Sequence, residues 1–167
     1  MDFKKDFVWN MLGSIATSLS MPLMVIITTR IAGAVVAGKF SIAFITAQWL
    51  MILGNYGVRV FQVSDIKEEF SFNDYLTNRG ITCTIMILCS LSFIFIRRYD
   101  HEMAILVIVI TAFKMIDAFA DVFEGRLQQK GYLYIAGQSL FLRTLLSIFL
   151  FTFSYGVGTA IIYKSVF

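Results

Sequence analysis

In "MAILVIVITAFKMIDAFADVF", residues 103–123, a lipid-like run meets a cluster of charges. The stretch's first half is free of charge and soluble in lipid. Its second half carries Lys114, Asp117 and Asp121. The apolar part, residues 103–113, makes about 16 Å of helix, roughly half of a 30 Å hydrocarbon core. The segment therefore spans a bilayer only if it continues to about residue 123, and that continuation takes three ionised side chains into or near the membrane.

The rest of the chain favours the spanning reading. Of the 167 residues, 58% are hydrophobic and only 15% charged, and the mean hydropathy is +0.77. Soluble domains carry about a quarter charged residues, so the class is an integral membrane protein. Other uncharged runs lie at residues 7–29, 40–58 and 80–96. Ahead of the last of these, Ser71 with Asp74 three positions on reads as a helix cap, so that helix starts before the membrane. Residues 132–163 are interrupted only by Arg143 and exceed one upright span. "SYGVG" at 154–158 reads as a turn within them, which gives a fifth helix at 133–155 and a partial sixth from about 157. An alternative fifth helix occupies 144–163, with Arg143 at the interface. The fold class expected is thus all-α: a polytopic transmembrane bundle of about five helices plus the start of a sixth, in one domain, 1–167. Because "GTAIIYKSVF" opens another apolar segment, the chain reads as the front part of a longer protein.

With five helices, Lys4, Lys5, Arg59, Lys67, Arg79, Arg126 and Lys130 fall on one side and Arg30, Lys39, Arg97, Arg98 and Lys164 on the other. The excess of Lys and Arg favours a cytoplasmic N-terminus. Lys4 and Lys5 before an apolar run resemble a signal peptide, but the run to Thr29 is longer than a signal's core, so a retained helix is expected. Pro22 removes a backbone hydrogen bond within that helix and predicts a kink. Gly13, Thr17 and Ser20 form a small-residue face suited to close helix approach. Cys83 and Cys89 have neither metal nor disulfide spacing. His101 reads as a solvated loop residue. Phosphate loops, zinc signatures and nucleophile elbows are missing, which points away from an enzyme and from metal or nucleic-acid binding.

Lys114, Asp117 and Asp121 are spaced i, i+3, i+7 and so fall within about 60° on one helix face. Charges at membrane depth face a bundle interior or a wet cavity. Two readings stand. In one, Lys114 and Asp117 form a structural salt bridge and Asp121 sits near the interface. In the other, the stripe lines a polar pathway, a reading that draws on the lack of a local partner for Asp121. Arg143 either supplies a planar guanidinium to an anionic head group or offsets Asp117 or Asp121 from the next helix. Arg30 reads as an interfacial anchor, with a place among the cationic candidates as the alternative.

The opening "DFVWNMLGSIATSLSMPLMVIITTRIAGAVVAGKFSIAF", with Asn10, Arg30, Gly33, Gly38 and Phe40, resembles the start of bacterial polysaccharide flippases of the MOP (multidrug/oligosaccharidyl-lipid/polysaccharide) exporter superfamily. "DIKEEFSFNDYLTNR", with Asp65, Tyr75 and Arg79, is similar to their cytoplasmic loop. "DAFADVFEGRLQQKGYLYIAGQSLFLRTLLSI", with Asp117, Asp121, Glu124, Gly125, Gln128 and Arg143, is similar to their fourth-to-fifth helix hairpin. Members have two bundles of about six helices; this chain has five and a stub. The resemblance implies part of an N-terminal lobe in a bacterial cytoplasmic membrane. It also implies alternating-access transport of an undecaprenyl-diphosphate-linked oligosaccharide beside membrane lipids and polysaccharide assembly machinery. Arg143, Lys114 and Arg30 would then be cationic cavity contacts. Asp117 and Asp121 would couple the cycle to H+ or Na+, with no other cofactor. A multidrug or lipid II exporter of the same superfamily, or a small non-transporting scaffold, are the alternatives.

Overall fold

In the computed structural model, the backbone is described for residues 3–166 and the side chains for residues 4–154. Among the described residues all elements are helices: α1 Phe3–Asn55, α2 Val58–Ser64, α3 Phe72–Arg97, α4 His101–Gln129 and α5 Leu133–Val166. Four helical stretches are long and apolar enough to cross a membrane: Lys4–Ser64, Phe72–Arg97, His101–Gln129 and Leu133–Ser154. The described residues thus form an all-helical bundle whose long helices are apolar enough to cross a membrane.

The first of these stretches is not one rod. At 53 residues α1 would be about 80 Å long if straight. Gly33, at φ 85 and ψ 169, breaks it into two arms. That conformation is open to glycine and essentially closed to residues with a Cβ. Met24 on the first arm and Phe44 on the second line the same cleft, although a straight helix would hold them about 30 Å apart. The chain doubles back at Gly33. The backbone stays helical through Pro22, and the reversal falls eleven residues later, at Gly33.

α5 differs from the expectation in the same direction. Residues 154–158 continue the helix instead of turning, so the fifth helix and the partial sixth are one 34-residue element. Tyr155, Gly156, Val157 and Gly158 are all tolerated in a helix when nothing supplies a competing turn.

Each helix buries one stripe. In α3 the buried positions are Tyr75, Arg79, Thr82, Cys83, Met86 and Ser90, the spacing of a single helical face. In α4 they run from Met103 through Val107, Ile110, Lys114 and Ala118 to Val122. One apolar core joins Met24, Phe40, Ala43, Phe44 and Ala47 of α1 to Met103, Val107 and Ile110 of α4. A second, smaller one joins Val58, Tyr75 and Val122. The outward faces carry Ile85, Leu88, Phe95, Leu146 and Phe149, all exposed. A surface so apolar suits lipid, not water.

Small residues set the closest approach. A Cβ on Gly137 of α5 would lie 2.7 Å from the Trp9 carbonyl carbon and 2.8 Å from the Asn10 nitrogen, so α5 rests on the backbone of the first arm. Thr17 and Thr144 hydroxyls meet at 3.3 Å across the same seam, and Gly13 faces the Gly137 carbonyl. The Asp6 carboxylate accepts from the Tyr134 amide at 2.9 Å, satisfying a free N–H in the first turn of α5. Ser90 and Thr111 join α3 to α4 at 3.2 Å. The cap expected at Ser71 is present as a reciprocal box with Asp74.

Candidate functional site

α4 organises the polar interior. Lys114, Asp117, Asp121, Glu124 and Gln128 stand at i, i+3, i+7, i+10 and i+14, within about 80° of one helix face. Three other elements each bring one arginine to that face: Arg59 from α2, Arg79 from α3 and Arg143 from α5.

Asp121 is held from two sides. Arg59 Nη1 donates to its Oδ1 at 2.6 Å and Arg79 Nη2 to its Oδ2 at 3.0 Å. Asp121, which has no obvious partner nearby in sequence, draws both of these partners from distant elements. Arg79 is fully buried and also donates to the Gly54 carbonyl at 2.6 Å and to Asn55 Oδ1 at 3.0 Å. These bonds satisfy carbonyl and amide oxygens where α1 ends, and Thr82 adds a second donor to Gly54 at 2.8 Å. Arg59 extends along α4 to Glu124 at 3.5 Å and to Gln128.

Asp117 is shared in the same way. Lys114 Nζ lies 3.4 Å from its Oδ2 and Arg143 Nη1 3.2 Å from its Oδ1. Arg143 also donates to the Asp117 main-chain carbonyl at 3.0 Å. Its Nη2 reaches Glu124 Oε1 at 3.3 Å, which also accepts from Ser139 at 3.2 Å. Lys114 Nζ sits 4.6 Å from the centre of the Phe44 ring, a cation–π contact with the second arm. Four cations thus face three carboxylates, leaving one positive charge in excess among groups that are mostly out of water.

Two side-chain nitrogens in this network have no hydrogen-bond partner: Arg79 Nε and Arg143 Nε. Beside Lys114 and Asp117 is a cavity of about 20 Å³, bordered by the Thr17, Ser20, Thr144 and Ser147 hydroxyls. That volume holds about one water. Met24, Phe44, Phe113 and Ser147 also border a cleft of about 420 Å³. Its remaining walls are apolar apart from Ser154: Phe40, Leu106, Val109, Ile110, Leu150 and Phe151. A polar niche of one-water size thus adjoins an apolar cleft with room for a segment of hydrocarbon chain.

Of the residues singled out from the sequence, Lys114, Asp117, Asp121 and Arg143 are brought together. Arg30 is not; it is exposed on the first arm, just before Gly33, and takes part in none of these ion pairs. The sequence reading did not place Arg59, Arg79 and Glu124 in the site. Glu124 was legible, since it continues the Lys114 stripe at i+10. Arg79 was partly legible, because a helix capped at Ser71 puts it two turns inside α3. Arg59 was not, since it depends on the turn at Tyr56 and Gly57, both at positive φ.

No family model, no curated protein and no solved structure matches this chain.

Proposed function

We propose that the chain forms part of a membrane transporter lobe that handles an amphipathic anionic lipid. The reading that fits best is a flippase of polysaccharide-exporter type, moving an undecaprenyl-diphosphate-linked oligosaccharide across a bacterial cytoplasmic membrane by alternating access. One observation carries it: Asp117 occupies both Lys114 and Arg143 at the point where a polar niche adjoins an apolar cleft. A carboxylate in that position acts as an internal stand-in for a phosphate. When a diphosphate displaces it, or when Asp117 takes up a proton or a Na+, two cations are released to the cargo. The guanidinium of Arg143 offers paired donors to phosphate oxygens, Lys114 adds a point charge, and the cleft accepts the first part of the isoprenoid chain. Asp121, held by Arg59 and Arg79, is the second carboxylate through which an ion would couple to the movement of α4 against α2 and α3.

The test is export. Arg143→Ala in the intact reading frame is expected to abolish surface glycan export at normal expression, while Arg143→Lys retains part of it. Unchanged export in Arg143→Ala removes the assigned role.

A second reading has its own observation. Each of Asp117, Asp121 and Glu124 has two cationic partners, the pattern of a lock between helices. In a non-transporting scaffold, Arg143→Ala lowers stability and abundance, and export does not depend on it.

A further inference from the structure

The short helix α2 buries a glutamine beside Val58 while turning two large apolar side chains outward. Gln62 is fully buried, its Nε2 donating to the Val122 carbonyl at 3.2 Å. Val60 and Phe61, two residues and one residue earlier, are 75% and 58% exposed. A surface helix in water shows the opposite pattern. The loop that follows repeats it: Ile66, between Asp65 and Lys67, is 84% exposed.

This presentation is built, not incidental. Asp65 closes the loop by accepting from the Glu69 amide at 2.9 Å, the Phe70 amide at 3.1 Å and the Tyr75 hydroxyl at 2.8 Å. Arg126 of α4 fixes Glu68 at 2.9 Å, and Gln129 donates to the Asp65 carbonyl. Phe61 and Phe70 rings pack 5.7 Å apart and close the outer side. The loop is thus tied to α3 and α4 by its polar atoms, which leaves Val60, Phe61 and Ile66 turned outward.

We infer that residues 56–70 lie in the headgroup layer of the bilayer, with Tyr56, Val60, Phe61 and Ile66 inserted among the acyl-chain ends as an interfacial wedge. The occupant of this face is phospholipid, and continuity argues for it. The patch extends the apolar outward side of the second arm, where Trp49, Ile52 and Leu53 are exposed, and ends where α3 begins its own apolar face. Trp49 and Tyr56 stand at the end of that span, the depth at which amphipathic rings favour the interface. The carboxylates of Glu68 and Glu69 and the ammonium of Lys67 remain at the aqueous side, the arrangement of a monotopic segment lying in the membrane plane. The inference rests on the reading of the long helices as bilayer spans, and its test separates the two.

Nitroxide labels at positions 60 and 66, at Glu69, and at Leu88 on the outward side of α3 are placed in a Cys83→Ala, Cys89→Ala background. The full chain is reconstituted in phosphatidylethanolamine–phosphatidylglycerol vesicles. Collision with oxygen is compared with collision with a water-soluble nickel chelate. Position 88 is expected to meet oxygen and exclude nickel. Positions 60 and 66 are expected to favour oxygen several-fold more than position 69 does. Nickel access at 60 and 66 equal to that at 69, with 88 still in lipid, overturns the wedge and leaves the spans standing. Low access to both reagents at 60 and 66 also overturns it, in favour of a protein partner or a second copy. Nickel access at 88 overturns the spans themselves. Phe61→Trp, with Trp9 and Trp49 changed to Phe, gives an independent reading: lipids brominated high on the acyl chain should quench it strongly, and absence of quenching overturns the wedge.

Discussion

Replacing Asp121 by Asn tests how the charged interior is held. The substitution keeps size and shape but removes the charge that faces Arg79 at 3.0 Å and Arg59 at 2.6 Å. Arg79 has no exposed side-chain surface, so water cannot take the carboxylate's place. Deleting one partner of a buried ion pair costs about 3–5 kcal/mol, because the other charge is left uncompensated. Arg79 keeps its bonds to Gly54 and Asn55, and membrane helices retain partners in their unfolded reference state, so the loss should fall near the low end, about 3 kcal/mol. Arg59→Gln is the contrast. Arg59 is 30% exposed and its removal leaves Asp121 still paired with Arg79, so about 1 kcal/mol or less is expected. The double change Arg79→Met with Asp121→Leu should be milder than Asp121→Asn alone, since it leaves no lone charge behind. Unfolding measured by steric trapping in bicelles gives all three values. If Asp121→Asn is indistinguishable from the parent, or if Arg59→Gln is the more damaging, the reasoning about Arg79 is wrong.

Gly137→Ala should destabilise by about 1–3 kcal/mol, because the new methyl meets main-chain atoms of Trp9 and Asn10 that have no room to yield. Gly80→Ala, within α3 and with nothing within 4 Å, should instead stabilise by about 0.5–1 kcal/mol; thermal unfolding of the pair checks both signs. Gly33→Ala has open space around it, so its expected loss of about 1–3 kcal/mol comes from the backbone conformation alone. A distance measurement between labels on the two arms should report a widened or mixed separation. Asp65 is held below the ordinary carboxylate value chiefly by the Glu69 amide, with the Tyr75 hydroxyl, the Phe70 amide and the Arg126 charge adding to it against some desolvation. Since the folded value is the lower one, the loop's stabilisation is complete above about pH 4 and is lost as pH falls below it. Hydrogen-exchange protection of the Glu69 and Phe70 amides, taken relative to their intrinsic rates, should fall on that acid side in the parent and be low at all pH values in Asp65→Asn.

What the sequence disclosed and what it withheld divide along physical lines. The Ser71–Asp74 cap, the apolar runs and the α4 stripe depend on residues close in the chain, and all three are present as read. The double-back of α1 at Gly33 lies between the uncharged runs 7–29 and 40–58, but its exact residue was not legible. Proline and glycine both break helices, and only the three-dimensional path of the second arm decides that Gly33 does so while Pro22 stays helical. The continuous α5 misled for a related reason, since glycines in "SYGVG" permit a turn without requiring one. In the candidate site, the members on α4 were legible from periodicity. Arg59 and Arg79 come from positions 42 to 62 residues away from Asp121, and no local pattern announces such a partner.

The proposed function makes the niche beside Lys114 and Asp117, the carboxylate that Arg143 also pairs, a ligand site and not a sealed lock. Ser147 borders both that niche and the apolar cleft, and its hydroxyl donates only to the Arg143 carbonyl, so cysteine replaces it with little disturbance. In the Cys83→Ala, Cys89→Ala background of the intact protein, Ser147→Cys is exposed to a small charged thiol reagent with and without undecaprenyl diphosphate in the membrane. Measurable labelling that the lipid slows is the expected result. A thiol that stays unreactive in both conditions, in a protein that still exports, contradicts it.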